Sequence, residues 1–282
     1  MKTPRAILTA ALCALQTACS PLAGALNLLV PKSGYSMHLN LAYGPDARQK
    51  LDIYVPDGLK TSAPVVLFFY GGSWESGSKN EYLAFGQAMA SKGVIAVVAD
   101  YRIYPQVKFP AFVQDGARAF RFVYDRIADY GGNPRHVFLA GHSAGAYIAV
   151  MLASDLSYLK TEGLNGSDVA GAIGIAGPYD FLPLTDPHLI EIFAGARNTA
   201  MLPISYIDGK RPPMLLITGS DDSTVDPGNS ARMAARLRAN NSPVDEIVYP
   251  GVGHIGIILS LVPGFRSRTS LREDIQRFIA RY

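Results

Sequence analysis

The stretch from Val137 to Leu152 constrains the fold of this chain more than any other part of the sequence. It begins with a short apolar run, Val137–Ala140, which is typical of a strand buried on both faces of a sheet. It continues from Ala144 to Ala153 with small and apolar residues that favour a buried helix. Between the two lies the turn Gly141-His142-Ser143-Ala144-Gly145.

Steric crowding explains the two glycines of this turn. A strand that turns sharply into a helix leaves no room for Cβ atoms beside the turn, and the strained backbone lifts the hydroxyl of Ser143 above the sheet edge. The helix N-terminus then favours negative charge nearby. The motif resembles the nucleophile elbow of the α/β-hydrolases, in which an acid and a histidine follow the serine along the chain. The alternative is a glycine-rich turn whose serine only caps the helix.

Strand and helix patterns alternate along the rest of the chain. A hairpin of two strands is predicted at 38–43 and 49–55, and the later strands are predicted at 64–70, 94–100, 137–140, 169–176, 214–218 and 244–249. Helices are predicted at 80–92, 110–130, 144–153, 229–240 and 271–279. This alternation predicts an α/β protein with a mostly parallel central sheet and helices on both faces.

The chain is expected to form one domain from residue 35 to residue 282, with the α/β-hydrolase fold that the resemblance implies. The longest irregular region, residues 177–213, is a candidate for a small cap over the site, since long loops inside a compact domain are usually functional. Hydrophobic residues make up 49% of the chain, which suits a sizeable core.

Charge and ligand patterns exclude several classes of function. The formal net charge is +3, from 26 basic and 23 acidic residues, without a basic run, so no nucleic acid partner is expected. No group of cysteines and histidines has the spacing of metal ligands, so neither a metal nor another cofactor is expected. The sequence does not determine an oligomeric state.

Residues 1–18 have the pattern of an export signal. Lys2 and Arg5 form its charged start, and the apolar core from Ala6 to Leu15 is too short to span a bilayer. Residues 19–34 are then expected to be a tether. An exported protein of the bacterial cell envelope is therefore predicted.

The cysteines favour a lipid anchor. Cys19 stands where the acylated cysteine of a bacterial lipoprotein would stand, although Gln16 occupies a position that is usually aliphatic. Because only Cys13 and Cys19 occur, the mature protein cannot form a structural disulfide. We expect a membrane contact only through acylated Cys19; the alternative is ordinary secretory cleavage to a periplasmic or secreted protein.

Two histidines after Ser143 could act as its base, His188 and His254. His188 lies in the irregular region, with no strand to position it. His254 follows the last predicted strand in a glycine-rich loop, where the carboxyl edge of the sheet would hold it. His254 is therefore the predicted base.

Adjacent aspartates follow the strand at 214–218, and only one of them can face the base. The stretch resembles the family pattern Gly-x-x-Asp-x-x-Val, with Gly219, Asp222 and Val225 at the matching positions. The resemblance selects Asp222 as the acid. Asp221 is expected to bind the backbone locally, and Asp226 to be a turn residue.

The loop after the first buried strand reads Tyr70-Gly71-Gly72-Ser73. It is similar to the His-Gly-Gly-Gly loop of bacterial esterases related to hormone-sensitive lipase and of feruloyl or acetyl esterases. The resemblance implies that the amides of Gly71, Gly72 and Ala144 bind an oxyanion. Tyr70 replaces the histidine and is expected to anchor the loop by its hydroxyl. The alternative is a plain glycine turn.

Trp74 and Ile255 are candidates for the substrate pocket. Trp74 either lines an acyl or alcohol pocket or packs the loop. The apolar run at 255–262 either lines an acyl pocket, faces a membrane or belongs to the core. His142 is expected to point away from the site, and the group Asp100-Tyr101-Arg102 is expected to form an ion pair that ties strand ends together.

The resemblance as a whole implies a carboxylesterase-type serine hydrolase for a small-molecule ester, with an acyl-enzyme intermediate. A small cap favours short or medium acyl chains. The alternatives are an amidase, formamidase or peptidase with the same triad, and a non-catalytic envelope lipoprotein. Intact Ser143, Asp222 and His254 argue against the last alternative.

Overall fold

A computed structural model describes residues 26–59, 62–195 and 198–282. Eight strands form one sheet in the order β1-β2-β4-β3-β5-β6-β7-β8. The strands are β1 (Tyr35–Ala42), β2 (Lys50–Pro56), β3 (Ala63–Phe69), β4 (Ile95–Ala99), β5 (Gly132–His142), β6 (Gly171–Ile175), β7 (Met214–Gly219) and β8 (Val244–Tyr249).

Strand direction divides the sheet into two parts. β1 pairs with β2 and β2 pairs with β4, both antiparallel, so the predicted hairpin forms one end of the sheet. The pairs from β4 through β8 are all parallel. The mostly parallel α/β sheet predicted from the sequence is confirmed.

Helices connect the parallel strands. They are α1 (Leu83–Ala90), α2 (Ala111–Arg126), α3 (Ala144–Ser154), α4 (Ser157–Thr161), α5 (Pro187–Ile192), α6 (Gly228–Ala239), α7 (His254–Leu259) and α8 (Leu271–Arg281). The predicted helix at 80–92 is divided, because a 3₁₀ turn at Lys79–Glu81 precedes α1. The side chain of Ser78 caps that turn, and the backbone of Tyr82, at φ −112° and ψ 28°, separates it from α1.

The core is thickest where α3 crosses the sheet. Every residue of α3 is buried, as its run of small and apolar side chains predicts. Gly116 of α2 allows the two helices to approach closely, since a Cβ there would lie 2.7 Å from a methyl carbon of Ile148. Close packing thus holds the turn that precedes α3 at the centre of the molecule.

Residues 177–195 and 198–213, the region predicted as a cap, fold into α5 and 3₁₀ turns at Thr199–Met201 and Pro203–Tyr206. The region is tied to α3 by a hydrogen bond of 2.8 Å from the hydroxyl of Tyr147 to the carbonyl of Met201. Another bond, of 2.8 Å, runs from the amide of Phe109 to the carbonyl of Ile192. That this region covers a substrate stays a prediction.

The predicted export signal at 1–18 and Cys19 lie outside the described residues, and so does the first part of the predicted tether. The described end of the tether packs on the domain instead of extending from it. Val30 is buried, and the side-chain amide of Asn27 donates to the carbonyl of Asn80 at 2.7 Å. Among the helices of the described residues, none has the length and apolarity needed to cross a membrane.

A buried ion pair joins the hairpin to the loop before α1. Nζ of Lys79 lies 2.9 Å from Asp52, and each side chain is 3% exposed. Lys79 also donates to the side-chain oxygen of Asn40 at 2.8 Å. Lys79 contacts both carboxylate oxygens of Asp52 at 2.9 Å, and Oδ1 also accepts a hydrogen bond of 2.7 Å from the amide of Asn40.

Replacing one partner of this pair should therefore be costly. We expect Lys79→Met to lower the free energy of unfolding by about 3–5 kcal/mol, because it leaves the Asp52 carboxylate buried and uncompensated. The double variant Lys79→Met with Asp52→Asn should recover part of that loss. Urea denaturation of both variants measures the difference. A cost below about 1 kcal/mol for Lys79→Met would contradict this account.

Candidate active site

The loops that carry the predicted site residues meet at the carboxyl edge of the sheet. Tyr70–Ser73 follow β3, Ser143 follows β5, Asp222 follows β7 and His254 follows β8. β3 and β5 are neighbours in the sheet, and the chain leaves β3 toward β4 on the other side. Crevices at such reversals of strand order are where open α/β sheets bind ligands.

The backbone of Ser143 is strained, with φ 54° and ψ −121°. The two glycines of the turn permit this conformation. A Cβ at Gly141 would overlap the backbone of Gly145, and a Cβ at Gly145 would overlap the carbonyl of Phe69 at the end of β3. The amide of Ser143 donates to the carbonyl of Ile175 at 2.9 Å, which fixes the turn against β6.

Asp222 and His254 are joined by a hydrogen bond of 2.7 Å between Oδ2 of the carboxylate and Nδ1 of the ring. Both residues are buried. The other carboxylate oxygen of Asp222 accepts the amides of Thr224 and Val225, each at 2.9 Å. Burial opposes ionisation of this carboxyl, but the bonds from His254 and from the amides of Val225 and Thr224 outweigh it and lower its pKa.

Asp221 and Asp226, the neighbouring aspartates, have hydrogen-bond partners other than His254. Oδ1 of Asp221 accepts the hydroxyl of Ser220 at 2.7 Å, and Asp226 accepts the amide of Gly228 at 2.9 Å. Asp222, not Asp221 or Asp226, therefore meets His254. Within the described part of the chain, Oγ of Ser143 and Nε2 of His254 form no hydrogen bond, so both can face a substrate.

The expectation that His142 points away from the site is wrong. Its ring packs against the ring of His254 with centroids 4.8 Å apart, and its Nε2 donates to the carbonyl of His254 at 3.1 Å. The ring lies beneath the loop after β3, where a Cβ at Gly71 would be 3.0 Å from Nδ1. Burial, and then the charge of His254, lower the pKa of His142 to about 3, so it is neutral at physiological pH.

The same loop approaches the serine. A Cβ at Gly71 would lie 3.0 Å from Cβ of Ser143, so a side chain there would crowd the serine. The amide of Gly71 donates to the hydroxyl of Tyr82 at 3.3 Å. The amides of Gly72, Ser73 and Ala144 have no hydrogen-bond partner among the described residues. The amides of Gly72 and Ala144 are therefore free to donate, whereas that of Gly71 is engaged, and Ser73 has a further free amide that the sequence analysis missed.

Tyr70, which stands where related loops have histidine, is anchored at both of its ends. Its hydroxyl accepts a hydrogen bond of 2.6 Å from Arg48, and its carbonyl accepts one of 2.8 Å from the hydroxyl of Tyr101. The rings of Tyr70 and Tyr101 stack with centroids 4.8 Å apart. Arg48 also donates to the carbonyls of Gly77 and Tyr101, each at 2.9 Å. The hydroxyl anchor that we expected is thus supplied by Arg48.

The group Asp100-Tyr101-Arg102 does contribute an ion pair, but its partner lies on a helix and not at another strand end. Arg102 binds Asp115 of α2, with a shortest distance of 2.7 Å, and Asp100 accepts the amide of Lys79 at 2.8 Å. Asp115 is fully buried and also accepts a hydrogen bond of 2.7 Å from Gln49. The residues are structural, as predicted, but their partners lie on other elements.

Trp74 packs within an aromatic cluster. Its ring lies 5.8 Å from that of Phe112, 5.2 Å from that of Tyr147 and 4.9 Å from that of Phe193. Its Nε1 is buried without a hydrogen-bond partner among the described residues. Trp74 therefore joins the loop after β3 to the region predicted as a cap.

Ile255 lies on the other side of the site, beside a cavity of about 130 Å³. Ile255 is 52% exposed, whereas Ile257 is buried and does not line the cavity. The run at 255–262 therefore divides its residues between a cavity wall and the core.

His188, the histidine that was not predicted to be the base, forms an ion pair instead. Its ring nitrogen Nε2 pairs with the carboxylate of Glu75, which follows Trp74. Tyr104 packs its ring edge to face with His188 at 5.3 Å and donates its hydroxyl to Glu191 at 2.8 Å. The bond to Glu75 raises the pKa of His188. α5 is thereby fastened to the loop that follows β3.

The sequence profile of the BD-FAE family matches residues 51–237, which is more than half of the chain. The chain belongs to the BD-FAE family. The chain is also similar in structure to an esterase B from Lactobacillus rhamnosis, with a TM-score of 0.79 and 19% identity over 96% of each chain. That similarity confirms the α/β-hydrolase fold.

Curated relatives of this BD-FAE chain include a probable isoprenylcysteine alpha-carbonyl methylesterase, ICMEL1, from Arabidopsis thaliana. It is 28% identical over 78% of this chain and 51% of its own length. A kynurenine formamidase from Salmo salar is 32% identical over 54% of this chain and 50% of its own length. The chain thus spans about half the length of these relatives.

The site of this BD-FAE chain has the groups for nucleophilic chemistry. Within residues 26–59, 62–195 and 198–282, no three histidine, cysteine, aspartate or glutamate side chains are grouped as a metal would require. The arrangement offers a serine on a strained turn, an acid-oriented imidazole and three unpaired amides.

Arg48 should position the oxyanion loop of this BD-FAE domain without touching substrate. We expect Arg48→Ala to lower kcat by about 10²-fold with little change in KM, because a displaced donor stabilises only the transition state. Arg48→Lys should recover part of the loss, and Arg236→Ala, on the exposed face of α6, is the control. Steady-state kinetics measure the effect; a change confined to KM would contradict the positioning role.

The pair of His188 and Glu75 should make stability depend on pH. The folded pKa of His188 is raised, so its contribution is complete below the unfolded value of about 6.5 and is lost as pH rises through the folded value. Because His188 is half exposed, we expect less than about 1 kcal/mol. The melting temperature should fall more between pH 6.5 and 8.5 in the wild type than in His188→Gln. An equal decrease of the melting temperature with pH in the two proteins would contradict the pairing of His188 with Glu75.

Proposed function

We propose that the protein is a carboxylesterase-type serine hydrolase that cleaves small esters of short to medium acyl chain. One observation carries the proposal: the buried hydrogen bond of 2.7 Å between Asp222 and His254, beside the strained turn of Ser143. A structural turn needs neither a strained serine nor an imidazole oriented by a buried carboxylate. The esterase names among its relatives support the same reaction class.

The acid sets the state of the base. The carboxylate of Asp222 accepts a hydrogen bond from the protonated Nδ1 of His254, which leaves Nε2 unprotonated and able to accept a proton. The lowered pKa of Asp222 keeps the carboxylate ionised, so that it stabilises the imidazolium when this forms. The carbonyl of His254, held by His142, fixes the position of the ring from below.

The reaction proceeds in two halves. Oγ of Ser143 bonds to the ester carbonyl carbon as its proton moves to Nε2 of His254, and the carbonyl oxygen takes the negative charge. The amides of Gly72, Ser73 and Ala144 stabilise that oxyanion. The tetrahedral intermediate then expels the alcohol, which takes the proton from His254, and an acyl-enzyme remains on Ser143.

Water completes the cycle. His254 removes a proton from a water molecule as its oxygen bonds to the acyl carbon, and the second tetrahedral intermediate forms in the same oxyanion site. Its collapse breaks the bond to Oγ of Ser143, which regains the proton from His254, and releases the carboxylic acid.

A formamidase is the second candidate, and the partial similarity to kynurenine formamidase favours it over other amidases. The triad and the oxyanion donors would act in the same way on a formyl amide, but His254 would protonate an amine as it leaves. The two candidates therefore differ in the leaving group, an alcohol or an amine, and in the acyl group, which is formyl in the second.

Paired aspartate variants test the proposal. A fluorophosphonate probe should label the wild type and not Ser143→Ala. Asp222→Asn should lower kcat on p-nitrophenyl acetate by about 10⁴-fold, because the imidazole then favours the wrong tautomer. The matched control is Asp221→Asn, which changes the adjacent exposed carboxylate and should leave kcat within about twofold. Equal losses in the two variants, or labelling of Ser143→Ala, would refute the assignment.

Substrate panels choose between the two candidates. A higher kcat/KM on p-nitrophenyl acetate than on N-formylkynurenine supports the esterase, and the reverse order supports the formamidase. Circular dichroism of each variant confirms that the fold is retained.

A further inference from the structure

The cavity beside Ile255 borders the candidate site without containing the serine. We call it the His142 cavity. Tyr82 and Phe85 line it at the start of α1, Ile258 and Leu259 line it from α7, and His142 lies between them. It has a volume of about 130 Å³ and is partly open to solvent.

Three of its lining residues touch the proposed catalytic groups. His142 holds the carbonyl of His254, and its ring packs on the His254 ring. The hydroxyl of Tyr82 accepts the amide of Gly71, in the loop that would bind the oxyanion. Ile255 directly follows His254. A group in the cavity would therefore lie beside both the base and the oxyanion loop.

The chemistry of the walls defines what they can accept. The lining is mostly aliphatic and aromatic, and the ring of His142 is uncharged because its pKa is about 3. Such walls favour an uncharged, apolar group. An engineered apolar cavity of about 150 Å³ holds one benzene molecule, so the volume here suits a group of about that size.

The N-terminal segment supplies one wall. Leu26 and Asn27 line the cavity, and Asn27 is fixed by its hydrogen bond of 2.7 Å to the carbonyl of Asn80. A few residues later Val30 is buried in a small cluster with Ala84 and Val262. Residues that the sequence assigns to a tether thus close a space next to the catalytic groups.

We propose that the His142 cavity binds a small apolar group of the ester substrate, and that Leu26 limits the length of this group. The inference rests on the proposed hydrolase function and adds a specificity site to it. The bound group is an alkyl or aryl group of about four to six carbons, carried by either the acyl part or the alcohol part of the ester.

Three variants in the full-length chain test the proposal. Ala84→Leu fills the cavity from α1, and Leu26→Ala enlarges it from the N-terminal wall. Ala235→Leu is the control, because it makes the same change as the first variant on the exposed face of α6. Circular dichroism and fluorophosphonate labelling establish that each variant is folded and has a reactive serine.

Two substrate series identify the group that the cavity binds. One series varies the acyl chain of p-nitrophenyl esters from acetate to octanoate, and the other varies the alcohol of acetate esters from methyl to hexyl. In the series that varies the group bound by the cavity, Ala84→Leu should lower kcat/KM for four- to six-carbon groups by about tenfold relative to the shortest substrate. Leu26→Ala should shift the preferred length upward in that same series. The proposal would be overturned if Ala84→Leu and Leu26→Ala both had the same chain-length profiles as the control Ala235→Leu in both series.

A binding measurement separates the cavity from the chemistry. In Ser143→Ala, which has no nucleophile, benzene should perturb the NMR signals of His142 and Tyr82, and the added Ala84→Leu should abolish this. If benzene perturbs these NMR signals but the wild type hydrolyses no ester, the hydrolase function is refuted and the binding role of the cavity stands. Hydrolysis with no benzene perturbation would refute the cavity alone.

Discussion

The close approach of Gly145 to the carbonyl of Phe69 is the contact on which the site depends. It places the turn after β5 against the end of β3 with no space for a side chain. Parallel pairing of β3 with β5 brings Phe69 level with Gly141, so the loop after one strand and the turn after the other meet. The strained backbone of Ser143, which costs of the order of 1–3 kcal/mol, persists because this packing leaves it no alternative.

The loop after β3 shows that different side chains can anchor the same loop. A histidine in related loops is replaced here by Tyr70, whose longer side chain reaches the guanidinium of Arg48. Arg48 precedes β2, so its bonds to Tyr70 and Gly77 join the antiparallel end of the sheet to the candidate oxyanion site. Stacking on Tyr101 restrains the ring, so the loop is held by shape and by charge-assisted hydrogen bonds together.

Much of the site could be predicted because its signals are local. The Gly-x-Ser-x-Gly turn, the spacing that selects Asp222 and the glycine-rich loop before His254 are each read within a few residues, and chain order relates them. His142 could not be placed, because its direction depends on packing against His254, which lies 112 residues away. The hydrogen bond of Gly71 to Tyr82 and the pairing of His188 with Glu75 likewise join separate elements.

The sequence alone determined the order of strands and helices, the turn that carries Ser143 and the choice of Asp222 and His254. The elements and the turn follow from residue type and spacing along the chain, where glycine sterics and hydrophobic periodicity act over short distances. The choice of Asp222 follows from the resemblance to the family pattern Gly-x-x-Asp-x-x-Val. Only the tertiary structure decided which amides stay unpaired, that Arg48 anchors Tyr70, and that Leu26 closes a cavity beside His142. Such contacts arise when distant segments share one packed interior, where each group takes whichever partner the fold brings within reach.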